Sequence, residues 1–203
     1  NHRFFTRNRG MVPAEALTPE DQILIANQPL EFDAPLAIDL DHAAIFASGW
    51  GGRHTRSFKD VRLPSVWTSP LAEYVGYLVG DGCLVEATDA NHRLSTASVV
   101  FGTPEDAGEL APRFRTLFQQ EMGVEDVQEV AMPNGTTQLR VNRTPVVRFF
   151  RQLGGSTEKA PAKVVPDTVF QAPKSIVAGF LRGLFTADGC VYNGKRSRYV
   201  GLG

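Results

Sequence analysis

Two short segments of this sequence carry residues that could do chemistry together. Asp81 is followed by Gly82-Cys83-Leu84 and Asp188 by Gly189-Cys190-Val191, and each acid closes an apolar run with helical spacing. The two acids stand 107 positions apart. Small residues recur at a spacing of four on the way to each acid, Gly76 and Gly80 in the first run, Gly179 and Gly183 in the second. A glycine inside a helix costs about 0.5–1 kcal/mol relative to alanine, so these glycines ask for a compensating contact. Close packing of the two helices along their glycine faces supplies one, and it would bring Asp81 and Asp188 out side by side at two negative helix ends. Carboxylates so placed repel each other unless a cation lies between them, and oxygen ligands suit Mg2+. A metal pair there can activate water and stabilise the attacking and leaving oxygens of a phosphodiester hydrolysis.

The surrounding pattern defines the elements that would position these acids. The spacing predicts a helix over 71–80, ended by Asp81-Gly82 with glycine as a left-handed cap. Strands follow over 83–87 and 94–101. Thr103-Pro104-Glu105-Asp106 is a helix start, with a capping hydroxyl, proline in the first turn and acids at the positive end of the dipole, and that helix runs to Met122. A hairpin over 127–132 and 137–141 turns at Asn134-Gly135, and Thr144-Pro145 opens a further helix that stops at Gly154-Gly155. After a proline-containing loop, a second apolar helix over 176–186 leads to Asp188. The order is helix, two strands, helix, two strands, helix, and then the beginning of a repeat of about a hundred residues. Upstream, residues 3–26 read as small strands and turns, and 31–70 as a connector or docking region.

Composition bounds the partners. The 203 residues carry a net charge of −1, which at first sight argues against a polyanion. The average hides a split: residues 1–50 hold three basic and seven acidic side chains, so the excess of positive charge lies later. Arg140, Arg143, Arg148, Arg151, Lys159 and Lys163 face only Glu158 within their stretch, and Lys195, Arg196 and Arg198 follow. Such one-sided runs point to a polyanion, with Arg140, Arg143, Lys195, Arg196 and Arg198 as candidate contacts. Two cysteines, Cys83 and Cys190, are too few for a disulfide framework or a zinc knuckle. No run is long and apolar enough for a membrane helix and no signal-peptide pattern opens the chain, so the expectation is a soluble, intracellular protein.

The segments 71–82 (Leu-Ala-Glu-Tyr-Val-Gly-Tyr-Leu-Val-Gly-Asp-Gly) and 180–189 (Phe-Leu-Arg-Gly-Leu-Phe-Thr-Ala-Asp-Gly) resemble the two signature helices of the LAGLIDADG, or dodecapeptide, homing endonucleases. The resemblance implies an α+β fold of two αββαββα halves that meet along these helices, with Asp81 and Asp188 as the catalytic, metal-binding acids, Mg2+ or Mn2+ as cofactor and double-stranded DNA as substrate. Thr186 stands where the family often has an acid. Lys163, in Lys163-Val-Val-Pro166, resembles the family's active-site lysine, which implies a role in polarising water or in stabilising the phosphorane charge.

The start of the chain, Asn1-His2-Arg-Phe-Phe-Thr6 with Gly10-Met-Val-Pro-Ala-Glu-Ala-Leu17, is similar to the intein block that contains the splicing histidine. By that likeness His2 would assist the first acyl shift, and the precursor's host extein would be the partner. The Thr6–Gly10 stretch is faintly like inteins of ribonucleotide reductases. The implied organisation is a β-rich Hint fragment over 1–28, a connector over 29–70, a first LAGLIDADG half over 71–170 and the beginning of a second over 171–203. The N-terminal splicing nucleophile, the C-terminal His-Asn pair and most of a second half are not among the 203 residues, so the expectation is that this stretch alone neither splices nor cuts efficiently. The alternatives are a cleavage-inactive LAGLIDADG module or intron RNA maturase, and a Hint domain with an unrelated insert.

Overall fold

A computed structural model describes residues 3–24, 35–47, 58, 60–88, 93–155, 163–194 and 197–202. His2, Lys159, Lys195 and Arg196 lie outside the described residues. The chain divides into two compact units, Asn1–Glu31 and Phe32–Gly203.

In the first unit, β1 (Arg3–Thr6) and β2 (Gly10–Pro13) form an antiparallel hairpin, with Gly10 at positive φ, and Ile23 bridges to Thr6. Asp21 ties the unit together. Its carboxylate accepts from the Arg9 guanidinium, from Thr18 N at 2.7 Å and from Asn8 Nδ2 at 3.1 Å. The Arg9 hydrogen bond, then that from Thr18, hold it well below the usual carboxylate range.

The second unit contains α1 (His42–Phe46), α2 (Ser69–Asp81), β3 (Gly82–Thr88), β4 (Arg93–Phe101), α3 (Pro104–Met122), β5 (Gln128–Ala131), β6 (Thr137–Val141), α4 (Thr144–Gln152), α5 (Lys174–Asp188), β7 (Gly189–Asn193) and β8 (Arg198–Leu202). β3, β4, β6 and β5 form one antiparallel sheet in that order. Strand alternation sends Leu84, Ala97, Val99, Phe101, Leu139 and Val141 to the buried face. There α2, α3 and α4 meet around Tyr74, whose ring lies 4.9–5.1 Å from those of Phe114, Phe118 and Phe150.

The helix starts follow their sequence cues. Thr68 caps α2 by accepting from Leu71 N at 3.2 Å, Thr103 caps α3 by accepting from Asp106 N at 3.1 Å, and both helices carry proline in the first turn. One prediction fails. Gly82 is extended (φ −104°, ψ 165°), as is Gly189 (φ −80°, ψ 150°), so neither is a left-handed cap. Each helix instead runs directly into a strand through its glycine. A Cβ at Gly82 would overlap the Leu78 carbonyl oxygen and one at Gly189 the Phe185 carbonyl oxygen, so close approach, not positive φ, requires glycine. The left-handed caps are elsewhere, at Gly123 after α3 (φ 65°) and at Gly154 (φ 98°).

The described parts of 35–68 pack on this unit. Ala37 bridges to Val66, Trp67 N donates to Leu36 O at 2.9 Å, and Ile45 of α1 is fully buried. Arg148 of α4 reaches the open end of α1, donating to Ala44 O, Ile45 O and Ala47 O at 2.7–3.3 Å. Among the described residues no helix is long and apolar enough to cross a membrane.

Candidate nuclease site at the paired helix ends

α2 and α5 touch backbone to backbone. A Cβ at Gly76 would overlap the Phe180 carbonyl oxygen and lie 2.9 Å from Leu184 N; one at Gly183 would overlap the Glu73 carbonyl oxygen and lie 2.7 Å from Tyr77 N. These contacts are reciprocal: Gly183 follows Gly76, and Phe180 follows Glu73, by the same 107 positions that separate Asp188 from Asp81. The helices are therefore related by a local two-fold. A Cβ at Gly179 would lie 2.7 Å from Ser69 O, and one at Gly80 would overlap the Ala187 methyl. The sequence reading missed the third rung on each helix, Ala72 opposite Gly179 in the repeat and Ala187 opposite Gly80, although the 107-residue offset already paired them.

At the top of this ladder the acids converge. A Cβ at Gly80, the residue before Asp81, would lie 3.2 Å from Asp188 Oδ2. Both side chains are open to solvent. The Asp81 carboxyl, solvent-accessible but partly desolvated, is raised above its ordinary range first by that partial burial and then by the negative charge of Asp188, with Lys163 acting in the opposite direction. Lys163 joins the cluster from the loop before α5. Its Nζ donates to Gly80 O at 2.9 Å and to Gly82 O at 2.8 Å, closing the end of α2 where helix carbonyls lack partners. Two of its three N–H donors are so used. Thr186 Oγ1 turns back to Arg182 O at 2.7 Å and away from the acids.

Below the acids, Glu73 is buried between three helices. It accepts from Arg113 Nη2 of α3 at 2.6 Å through both oxygens and from Arg182 Nη1 of α5 at 3.4 Å. The residue in the corresponding position of α5 is Phe180, so this tie belongs to one side of the two-fold only.

The basic residues separate into two groups. Arg140 lies on the outer face of β6. Arg198 is exposed at the start of β8. Arg143, in contrast, pairs with Asp126 at 2.8 Å, and Arg148 and Arg151 share Glu86, each at 2.9 Å. The run of positive charge that pointed to a polyanion is thus largely matched by acids from elsewhere in the chain, which corrects the charge argument. Sequence reasoning also missed the polar row beside Arg140. Register places Cys83, Ser98, Arg140 and Gln128 across one line of the outer face, with Thr96, Gln138 and Asn142 flanking it. The alternating spacing within each strand held that signal; the pairing register did not.

Residues 175–203 match the LAGLIDADG-like domain family. They comprise most of α5 and the hairpin after it. Among curated proteins, the chain is 26% identical over 165 residues to the replicative DNA helicase DnaB of Synechocystis sp., covering 74% of this chain and 18% of that protein. It is 31% identical over 109 residues to an A-type ATP synthase component of Methanopyrus kandleri, covering 54% of this chain and 10% of that protein. The chain therefore spans less than a fifth of the length of these relatives. Among solved structures, the homing endonuclease I-DmoI in complex with DNA and Ca aligns with a TM-score of 0.48 at 18% identity, over 60% of this chain and 59% of that one. The same protein in complex with DNA and Mn aligns with the same score over 63% of its own length.

Proposed function

We propose that this chain is part of an intein-encoded LAGLIDADG homing endonuclease, which hydrolyses double-stranded DNA, with residues 1–28 contributing to the splicing element. The observation that carries the nuclease reading is the reciprocal packing of Gly76 and Gly183 on opposite carbonyls, with Asp188 against Gly80 at the top. The match of residues 175–203 to the LAGLIDADG-like domain supports it.

The donor set fits a hard divalent cation. Asp81 and Asp188 offer carboxylate oxygens at two negative helix ends, and the negative charge of Asp188 adds to burial in raising Asp81, a repulsion that a cation between them would relieve. Among the described residues no third His, Cys, Asp or Glu joins them, so phosphate oxygens of the substrate would complete the shell of Mg2+ or Mn2+. A cation bound there would supply an activated water and charge stabilisation for in-line displacement. Asp81 and Asp188 would hold that cation, and Lys163, which ties the end of α2 with two N–H groups, keeps a third donor that would serve a phosphoryl oxygen. The outer face of the β3-β4-β6-β5 sheet, with Arg140, is the surface for the duplex; Arg198 serves the second half, and Lys195 and Arg196 are assigned there from sequence.

The intein reading draws on the relatives. A replicative helicase and an ATP synthase component have unrelated names, yet each shares with this chain only a slice of its length. A segment common to unrelated hosts is what an inserted element leaves. His2 is the proposed splicing histidine.

The test is cutting of a randomised duplex pool in Mg2+ against EDTA, read by sequencing the new ends, using the chain continued through a complete second half. Defined ends that vanish in the Asp81→Asn variant while duplex binding persists support the enzyme. Binding without any metal-dependent ends would favour a cleavage-inactive DNA-binding module instead.

A further inference from the structure

The outer sheet face has an unusual hydrogen-bonding balance at its centre. β6 is an inner strand, flanked by β4 and β5, and Arg140 is the fourth of its five residues. Its side chain is pinned along the face: Nε donates to Gln138 Oε1 at 2.8 Å and Nη2 reaches Met132 Sδ at 3.6 Å. A guanidinium can only donate, so the Gln138 amide must turn its oxygen to Arg140. That leaves Gln138 Nε2 and the Nη1 edge of Arg140 without partners among the described residues. What the guanidinium presents outward is donors only.

We infer that Arg140, held by Gln138, reads a guanine in the major groove of the DNA half-site that lies under the first sheet. The inference rests on the DNA-binding reading above and adds base identity to it. Guanine shows two adjacent acceptors, N7 and O6, on its major-groove edge, whereas adenine offers one acceptor beside a donor, and each pyrimidine a single polar group. A donor-only fork therefore opposes guanine and mismatches the other bases. Phosphates also accept, but they line the walls of the groove, and an inner strand of a sheet face inserted in the groove meets base edges. Pinning on Gln138 fixes the fork before binding, which lowers the entropy cost of ordering a long side chain.

The experiment is selection of duplexes from a randomised pool by the 203-residue chain in Mg2+, wild type against Arg140→Gln and Arg140→Lys, each checked for a native thermal melt. Wild type should enrich one invariant guanine. Replacing it by 7-deazaguanine, which lacks the N7 acceptor, should weaken binding about ten- to hundredfold, while inosine, which keeps N7 and O6, should bind nearly as well. Arg140→Gln should move the preference at that position from guanine to adenine, because a carboxamide matches the N6/N7 edge. Arg140→Lys should keep the salt dependence and weaken the guanine preference without moving it to another base. An enriched motif whose bases are all unchanged by Arg140→Gln overturns the inference and leaves the DNA-binding reading standing. A folded chain that enriches no duplex overturns the DNA-binding reading, and this inference with it.

Discussion

The two repeats begin alike and end in opposite environments. Leu84 of β3 and Val191 of β7 stand three residues after Asp81 and Asp188, each on the strand that leaves its helix. Leu84 is 1% exposed and Val191 79%. The difference is what covers them: in the first repeat α3 and α4 pack on a sheet that two further strands extend, whereas β7 and β8 form a two-stranded ribbon. On the other face of the hairpins, Val85 and Thr96 pair across the first, and Tyr192 and Tyr199 stack across the second at 5.1 Å. The helix pair is held by backbone contact, and that contact is what places the acids.

The comparison can be broken most forcefully at the helix pair. Gly76→Val or Gly183→Val would drive a side chain into a carbonyl of the facing helix and should cost about 3 kcal/mol or more in denaturant melts. Gly108→Ala on α3 is the counter-experiment. Nothing lies within 4 Å of the added methyl, and it should stabilise by about 0.5–1 kcal/mol. If both kinds of variant melt alike, the backbone contact is not what holds α2 to α5.

The next sharpest contrast is between the repeats. Leu84→Ala should lose about 2–5 kcal/mol, and Val191→Ala should stay within about 0.5 kcal/mol of the parent protein. Equal losses would mean that the second hairpin is covered after all. Arg148→Ala removes the half-buried pair with Glu86 and three bonds to the end of α1, and should cost about 1–3 kcal/mol. Limited proteolysis should then cut within 35–47 sooner than in the unaltered chain.

Much of this architecture was legible in the sequence, for local reasons. Thr68 and Thr103 cap with their own hydroxyls, Gly135 turns the β5–β6 hairpin at φ 86°, and the acids declare themselves by duplication. What was hidden depends on partners far along the chain. Nothing local says that Arg148 and Arg151 would meet Glu86, 62 and 65 residues earlier, or that Lys163 would span the carbonyls of Gly80 and Gly82. Gly82 misled because an Asp-Gly helix stop has two meanings, a left-handed cap or a tight passage into a strand, and only the following strand register distinguishes them.

The smallest expected effect concerns pH. Asp81 is raised in the folded chain by burial and by Asp188, so folding favours its protonated form. Its contribution is fully present below the ordinary carboxylate range and is lost as pH rises through the folded value. In metal-free buffer Asp81→Asn should therefore raise the melting temperature slightly at neutral pH and leave it unchanged at acid pH.

The central claim is that both acids serve one cation. The direct measurement is the rise in melting temperature on adding Mg2+ or Mn2+ to the unaltered chain, to Asp81→Asn and to Asp188→Asn at neutral pH. A site shared by two helix ends predicts a rise in the unaltered chain that either single substitution abolishes; single variants that keep the full rise would contradict it.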